Sequence, residues 1–258
     1  MPDDLSFLSL TEAVRLIRSG DLSPVESTQA LLDRIAALVV QLDCFLRVLD
    51  DSALENAALA EKAVKNGEKL GPLHGIPFAL KDIVDVAGLP TTAHSQILAQ
   101  EPPKTDHATV TEKLCNAGGV LLGKTATHEF AIGGPSFDLP WPPARNPWNR
   151  KRYPGGSSSG SGAAVAAGLV PMAIGTDTGG SVRNPATACG IVGMKPTYGR
   201  VSRRGVFPLS FSLDHVGPMT RTVADNALML NVIAGHDPDD PGAANLSTPD
   251  FTAELDKG

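Results

Sequence analysis

Apolar and polar positions along the first seventy residues repeat with the period of a helix, and each run opens on a cap. Ser9, Leu10, Thr11 and Glu12 form a capping box, in which the serine hydroxyl and the glutamate satisfy free amides at a helix start; Gly20 offers the left-handed stop. Ser23, Pro24, Val25 and Glu26 form a second box, with proline at the first helical position. Leu31, Leu32, Ile35, Ala36 and Val39 then recur at helical spacing. Ser52, Ala53, Leu54 and Glu55 open a third helix, closed near Asn66 and Gly67, and 44–49 reads as a strand between the second and third.

The period changes after Gly71, where short apolar runs bounded by turns alternate with helical stretches. Residues 76–80 read as a strand, 110–117 as a helix, 120–122 as a buried strand, and 171–174 and 191–194 as further strands. An alanine-rich helix follows the Gly/Ser stretch at 155–162, and 222–234 reads as a helix with Ala227, Leu228, Leu230 and Val232 on various faces. Strands alternating with helices predict an α/β fold layered around a sheet. No fixed-period repeat is present. The chain reads as one domain, 1–258: a helical region 1–70, an α/β core 71–235, and an acidic, Pro-rich tail 236–258 without a closing element.

Composition narrows the function classes. The 258 residues are 42% hydrophobic with a net charge of −6, enough for a sizeable core, and the short basic stretches at 150–152 and 203–204 read as loop charges. No direct nucleic-acid partner is expected. Cys44, Cys115 and Cys189 are far apart and odd in number, which predicts small hydrophobic residues in a reducing, cytoplasmic setting rather than a disulfide framework or a zinc site. His128 and Glu129 lack the second histidine of a zinc helix motif. No run is long enough for a membrane span, and the acidic N-terminus does not read as a signal peptide.

The segment YPGGSSSGSGAAVAAG at 153–168 raises the chemical question. Gly/Ser composition alone suggests a linker. GSSSG at 156–160 formally matches a nucleophile elbow, but the residues before it are polar and proline-broken instead of a buried strand. Residues 118–125 formally match a phosphate-binding loop, yet their apolar middle reads as a strand. Downstream, GTDTGGSVR at 175–183 sets paired glycines before Ser181, so that main-chain amides can approach a ligand closely and stabilise an oxyanion.

Taken together, GGSSSGS at 155–161, GTDTGGSVR at 175–183 and CGIVGMKPT at 189–197 resemble the signature of the amidase signature family. GIPFALKD at 75–82, GKTATHEF at 123–130, NPW at 146–148 and SLDHVGP at 212–218 also fit, in family order through nearly the whole chain. The resemblance implies the family's α/β fold, a central mixed sheet covered by helices. It also implies that the C-terminal part of the usual domain is missing from this short chain.

For chemistry, the resemblance implies a Ser–cis-Ser–Lys triad with Ser181 as nucleophile, Ser157 as bridging serine and Lys81 as base. The amides of Thr178, Gly179, Gly180 and Ser181 would hold the oxyanion. A lysine at the end of the apolar run Phe78-Ala79-Leu80 is desolvated, which lowers its pKa toward neutrality. The implied activity is amide hydrolysis through an acyl-enzyme, on a small-molecule amide, with no metal or organic cofactor and with a homodimer left open. Two alternatives stand: the glutaminase subunit of a tRNA-dependent amidotransferase, and an inactive fragment or binding module. The stretch 205–214 looks more like a free-standing amidase. Read without the resemblance, Lys81 is a surface lysine beside Asp82, and Ser157 and Ser181 are helix caps. Asp177 and Arg183 read as a structural ion pair, Cys189 as core, and Ser158 and Ser159 as hydrogen-bonding neighbours without a catalytic role.

Overall fold

The computed structural model describes residues 5–257. Helices α1 (Leu10–Ser19) and α2 (Pro24–Leu42) start where their caps predict. The Ser9 hydroxyl accepts from the Glu12 amide, the Ser23 hydroxyl accepts from the Val25 and Glu26 amides, and Gly20 adopts φ 79° to end α1. Helix α3 (Asp50–Lys65) begins two residues before the predicted start. Ser52 does not cap it; its hydroxyl donates back to the Leu49 carbonyl, and Asp50 and Asp51 supply first-turn acids that suit the helix dipole.

Six strands build one sheet: β1 (Phe45–Val48), β2 (Pro77–Lys81), β3 (Val120–Thr125), β4 (Met172–Asp177), β5 (Val192–Gly193) and β6 (His215–Thr220), in the order β1-β3-β2-β4-β6-β5. β2 runs parallel to β3 and β4, and the outer pairings are antiparallel, so the sheet is mixed. β6 was not expected. Its sequence HVGPMT carries Gly217 and Pro218, which read as turn punctuation, yet all six of its residues pair with β4.

The remaining helices are α4 (Thr109–Asn116), α5 (Ser159–Ala166), α6 (Arg183–Cys189) and α7 (Val223–Ile233). Alternation along β2 separates two cores. Phe78 and Leu80 pack with Leu10 and Ile17 of α1, Leu114 of α4 and Met229 and Ile233 of α7. Ala79 packs with Leu31 and Ile35 of α2, Ala53 and Ala57 of α3 and Ala163 and Ala164 of α5. The Gly/Ser stretch is therefore no linker: Ser157, Ser158, Ser159 and Ser161 are buried, and α5 lies against the sheet with small residues that permit close approach. The strand reading within 118–125 holds: Val120–Thr125 is β3, with Lys124 and Thr125 inside the protein rather than in an exposed phosphate loop. After residue 235 no helix or strand follows among the described residues. The start of this tail is nonetheless anchored, since buried Asp237 accepts from the Thr109 and Ser202 hydroxyls.

Candidate active site

Lys81 ends β2, fully buried, where the strand is flanked by β3 and β4. Its Nζ lies 2.8 Å from Ser157 Oγ and 2.8 Å from Thr176 Oγ1, and no carboxylate pairs with it among the described residues. Burial without a counter-charge brings its pKa down to about 7, although Asp214 and Asp177 pull the other way from a distance. The surface-lysine reading is thereby overturned. Asp82, its sequence neighbour, turns to Lys124 on β3 at 2.5 Å.

The peptide bond Gly156–Ser157 is cis. Gly156 is required there by close approach: a Cβ would stand 2.2 Å from His128 Nε2 and 2.8 Å from the Tyr153 hydroxyl. Ser157 does not cap α5; its hydroxyl faces Lys81. Ser158 occupies the cap position without capping. Its hydroxyl donates to the Thr176 carbonyl at 3.2 Å and accepts from the Thr176 amide at 3.1 Å, which fixes the threonine that bonds Lys81.

Ser181 lies just before α6, and the cap position there is Val182, so Ser181 is not a side-chain cap. The Ser158 amide donates to the Ser181 carbonyl at 3.2 Å and holds the two serine segments side by side. Ser157, Ser181, Thr178 and Gly179 line one open cavity of about 390 Å³, with His128 and Tyr153 on its wall.

Asp177 organises the loop between β4 and α6. Its buried carboxylate accepts from the amides of Gly180 (2.9 Å), Val182 (3.1 Å) and Arg183 (3.3 Å), and from the Arg183 guanidinium at 2.9 and 3.0 Å. Burial raises the Asp177 pKa, but these donors outweigh it and hold the carboxyl below its ordinary value. The ion-pair reading of Asp177 and Arg183 thus stands. One expectation is corrected: the Gly180 amide is directed onto Asp177 and does not face the cavity as an oxyanion donor. The amides of Thr178, Gly179 and Ser181 take part in no hydrogen bond among the described residues.

Three contributors escaped the sequence reading. Thr176, the second lysine partner, sits two residues before Thr178 in the same quoted motif. Asp214 accepts from the Thr178 hydroxyl at 2.5 Å and from the Leu209 and Ser210 amides. His128 donates from Nδ1 to the Gly133 carbonyl, which leaves Nε2 to accept from the Tyr153 hydroxyl at 3.2 Å. Burial and then the nearby Lys81 charge push His128 down to about 4, so it is a neutral wall at ordinary pH. Cys189 is core, as expected: its thiol donates to the Pro154 carbonyl, and burial raises its pKa to about 12. Among the described residues no cluster of His, Cys, Asp or Glu could hold a metal ion, and no helix is long and apolar enough to cross a membrane.

A glutamyl-tRNA(Gln) amidotransferase subunit from Chloroflexus aurantiacus is 50% identical over 252 residues, which are 98% of this chain and 52% of that relative. The crystal structure of native peptide amidase from Stenotrophomonas maltophilia superposes with a TM-score of 0.89 at 42% identity, covering 97% of this chain and 53% of its own. The corresponding glutamyl-tRNA(Gln) amidotransferase subunit from Thermotoga maritima superposes at 0.87 with 38% identity, covering 100% and 53%. The chain spans about half the length of these relatives. A family model described as Amidase matches residues 26–257, from α2 through the sheet and the Lys81–Ser157 contact to the tail, and the chain belongs to the amidase signature family.

Proposed function

We propose that this chain cleaves a carboxamide, with Ser181 as nucleophile, Ser157 as proton relay and Lys81 as base. The observation that carries this reading is the 2.8 Å contact between Ser157 Oγ and a buried Lys81 Nζ without a carboxylate partner. In its neutral form the Lys81 amine accepts the Ser157 proton, and Ser157 takes the proton of the Ser181 hydroxyl as Oγ bonds to the amide carbon. The oxyanion then faces the amides of Thr178, Gly179 and Ser181; one such donor is worth about 3–4 kcal/mol of barrier. Collapse breaks the C–N bond, the leaving nitrogen receives the relayed proton, and an ester on Ser181 remains for water to hydrolyse. The test is trapping with a fluorophosphonate followed by peptide mapping. The adduct is expected on Ser181; an adduct confined to Cys189 or Ser158 overturns the assignment.

A second reading rests on the relatives named as subunits of glutamyl-tRNA(Gln) amidotransferase, at up to 50% identity. On that reading the amide is glutamine, and the ammonia goes to partner chains that act on an aminoacyl-tRNA. Glutaminase activity that appears only when those partner chains are added would favour it over the free-standing amidase.

A further inference from the structure

His128 and Tyr153, which wall the cavity of the two serines, also line a smaller chamber next to it. The chamber leaves about 10 Å³ for the centre of a water-sized molecule, close to the roughly 10–15 Å³ that one water needs. Four buried side-chain polar atoms have no hydrogen-bond partner among the described residues, and two of them, His94 Nδ1 and Thr127 Oγ1, belong to residues that line this chamber. His94 is 2% exposed and Thr127 3%. Tyr153 and His128 bond each other, and the Ser136 hydroxyl donates to Asp138. Ser159 and the half-buried Glu129 also line the chamber, and their side chains make no hydrogen bond within the described residues.

Burying a polar atom without a partner is costly, so two such atoms at one chamber call for a ligand that hydrogen-bonds. His94 Nε2 lies 3.0 Å from the Trp141 carbonyl and donates to it, which leaves Nδ1 of the neutral ring as an acceptor. A metal cation has no hydrogen to donate to that nitrogen, and a larger polar molecule exceeds the space. We infer that this chamber binds one water molecule, which donates to His94 Nδ1 and bonds the Thr127 hydroxyl. Thr127 precedes His128 in the chain, so the water ties the segment that carries this wall residue to the segment that carries His94. The same two segments meet where the Phe130 amide donates to the Ala93 carbonyl at 3.0 Å. Ala93, His94, Phe130 and Ala131 hold left-handed φ between 48° and 62°, a costly conformation of the kind that gathers at ligand clamps. Occupancy of the chamber does not depend on amide cleavage.

The test is a crystal structure, from crystals grown without ammonium salts and at a resolution that shows bound water, together with thermal melts of two variants. One density peak is expected within about 3.2 Å of both His94 Nδ1 and Thr127 Oγ1. Thr127→Val keeps the shape of the side chain and removes the hydroxyl. With water bridging the two side chains, this variant loses one of the water's partners and is expected to melt about 2–4 °C lower, the shift that follows loss of one net hydrogen bond in a domain of this size. In a dry chamber the same change replaces an orphaned hydroxyl by a methyl, and stability holds or rises. Thr127→Ser keeps the hydroxyl and is expected to keep the peak. An empty chamber in the parent, or a Thr127→Val protein that melts at or above the parent, overturns the inference. So does replacement of the peak by rubidium in a soak, read from its anomalous scattering, because that marks a monovalent cation held against Glu129. The parent's own density decides the matter where a variant folds poorly.

Discussion

Lys124 Nζ lies 2.5 Å from Asp82 Oδ1, and both side chains are almost fully buried. The carboxylate that follows Lys81 in sequence is thus held by a lysine on the adjacent strand, and it also accepts from the amide and hydroxyl of Thr92. Lys81 is left with two hydroxyl partners, Ser157 and Thr176. One buried lysine has its charge balanced and the other does not. That difference separates a structural lysine from a candidate base.

Removing one member of the Lys124–Asp82 pair leaves a buried charge without its counter-charge, which costs about 3–5 kcal/mol. Lys124→Met is expected to lower the unfolding free energy in urea by that order. Pairing it with Asp82→Leu, which removes the orphaned charge, is expected to recover most of the loss. A Lys124→Met protein within about 0.5 kcal/mol of the parent would behave like a surface substitution and show that the pair contributes nothing.

Lys81→Met makes the opposite prediction. A buried amine hydrogen-bonded to two hydroxyls but without a counter-charge is costly to desolvate, and an apolar chain of similar length removes that cost. The variant is expected to melt at or above the parent temperature while losing fluorophosphonate labelling of Ser181. Retained labelling removes Lys81 as the base.

The lowered pKa of Lys81, about 7, has two consequences for pH. Only the neutral amine accepts a proton, so kcat/KM is expected to rise about tenfold per pH unit below 7 and to level off above it. An unfolded lysine titrates near about 10.4. Between about pH 7 and that value the unfolded chain therefore carries a proton that the folded chain has released, and this group makes stability rise with pH across the window. The difference in unfolding free energy between the parent and Lys81→Met should change over that window and flatten above it. A difference independent of pH means the lysine is solvated.

Features encoded by neighbouring residues were legible in the sequence, and features set by distant partners were not. Caps at Ser9 and Ser23 act within three residues, so α1 and α2 start where their sequences indicate. Ser52 carries the same local pattern, yet Leu49 takes the cap position because β1 must hand the chain over there. β6 was hidden by Gly217 and Pro218, since pairing with β4 across nearly forty intervening residues outweighs local preference. α6 did leave a signal, with Pro185 early and Gly190 at its left-handed end, but its seven residues are too few for periodicity. At the site, residue types and motif order pointed to Lys81, Ser157 and Ser181 together. The direction of the Gly180 amide and the choice of Asp82 between two lysines depend on three-dimensional placement alone.

The two glycines before Ser181 should respond differently to alanine. Gly180 sits at φ 132°, where a side chain is strained by about 1–3 kcal/mol, and its amide bonds Asp177. Gly180→Ala is therefore expected to destabilise the protein and disorder the loop. Gly179 has no atom within 4 Å of where its Cβ would stand, and it lines the cavity shared by Ser157 and Ser181. Gly179→Ala should leave the melting temperature equal or slightly higher, since replacing glycine at an unstrained position stabilises by about 0.4–1 kcal/mol. The new methyl nevertheless stands beside the amide assigned to the oxyanion, and kcat/KM is expected to fall by about tenfold or more because misplacing the reacting carbonyl forfeits its alignment. Unchanged turnover in a well-folded Gly179→Ala protein would move the substrate carbonyl away from this amide, and with it the attack assigned to Ser181.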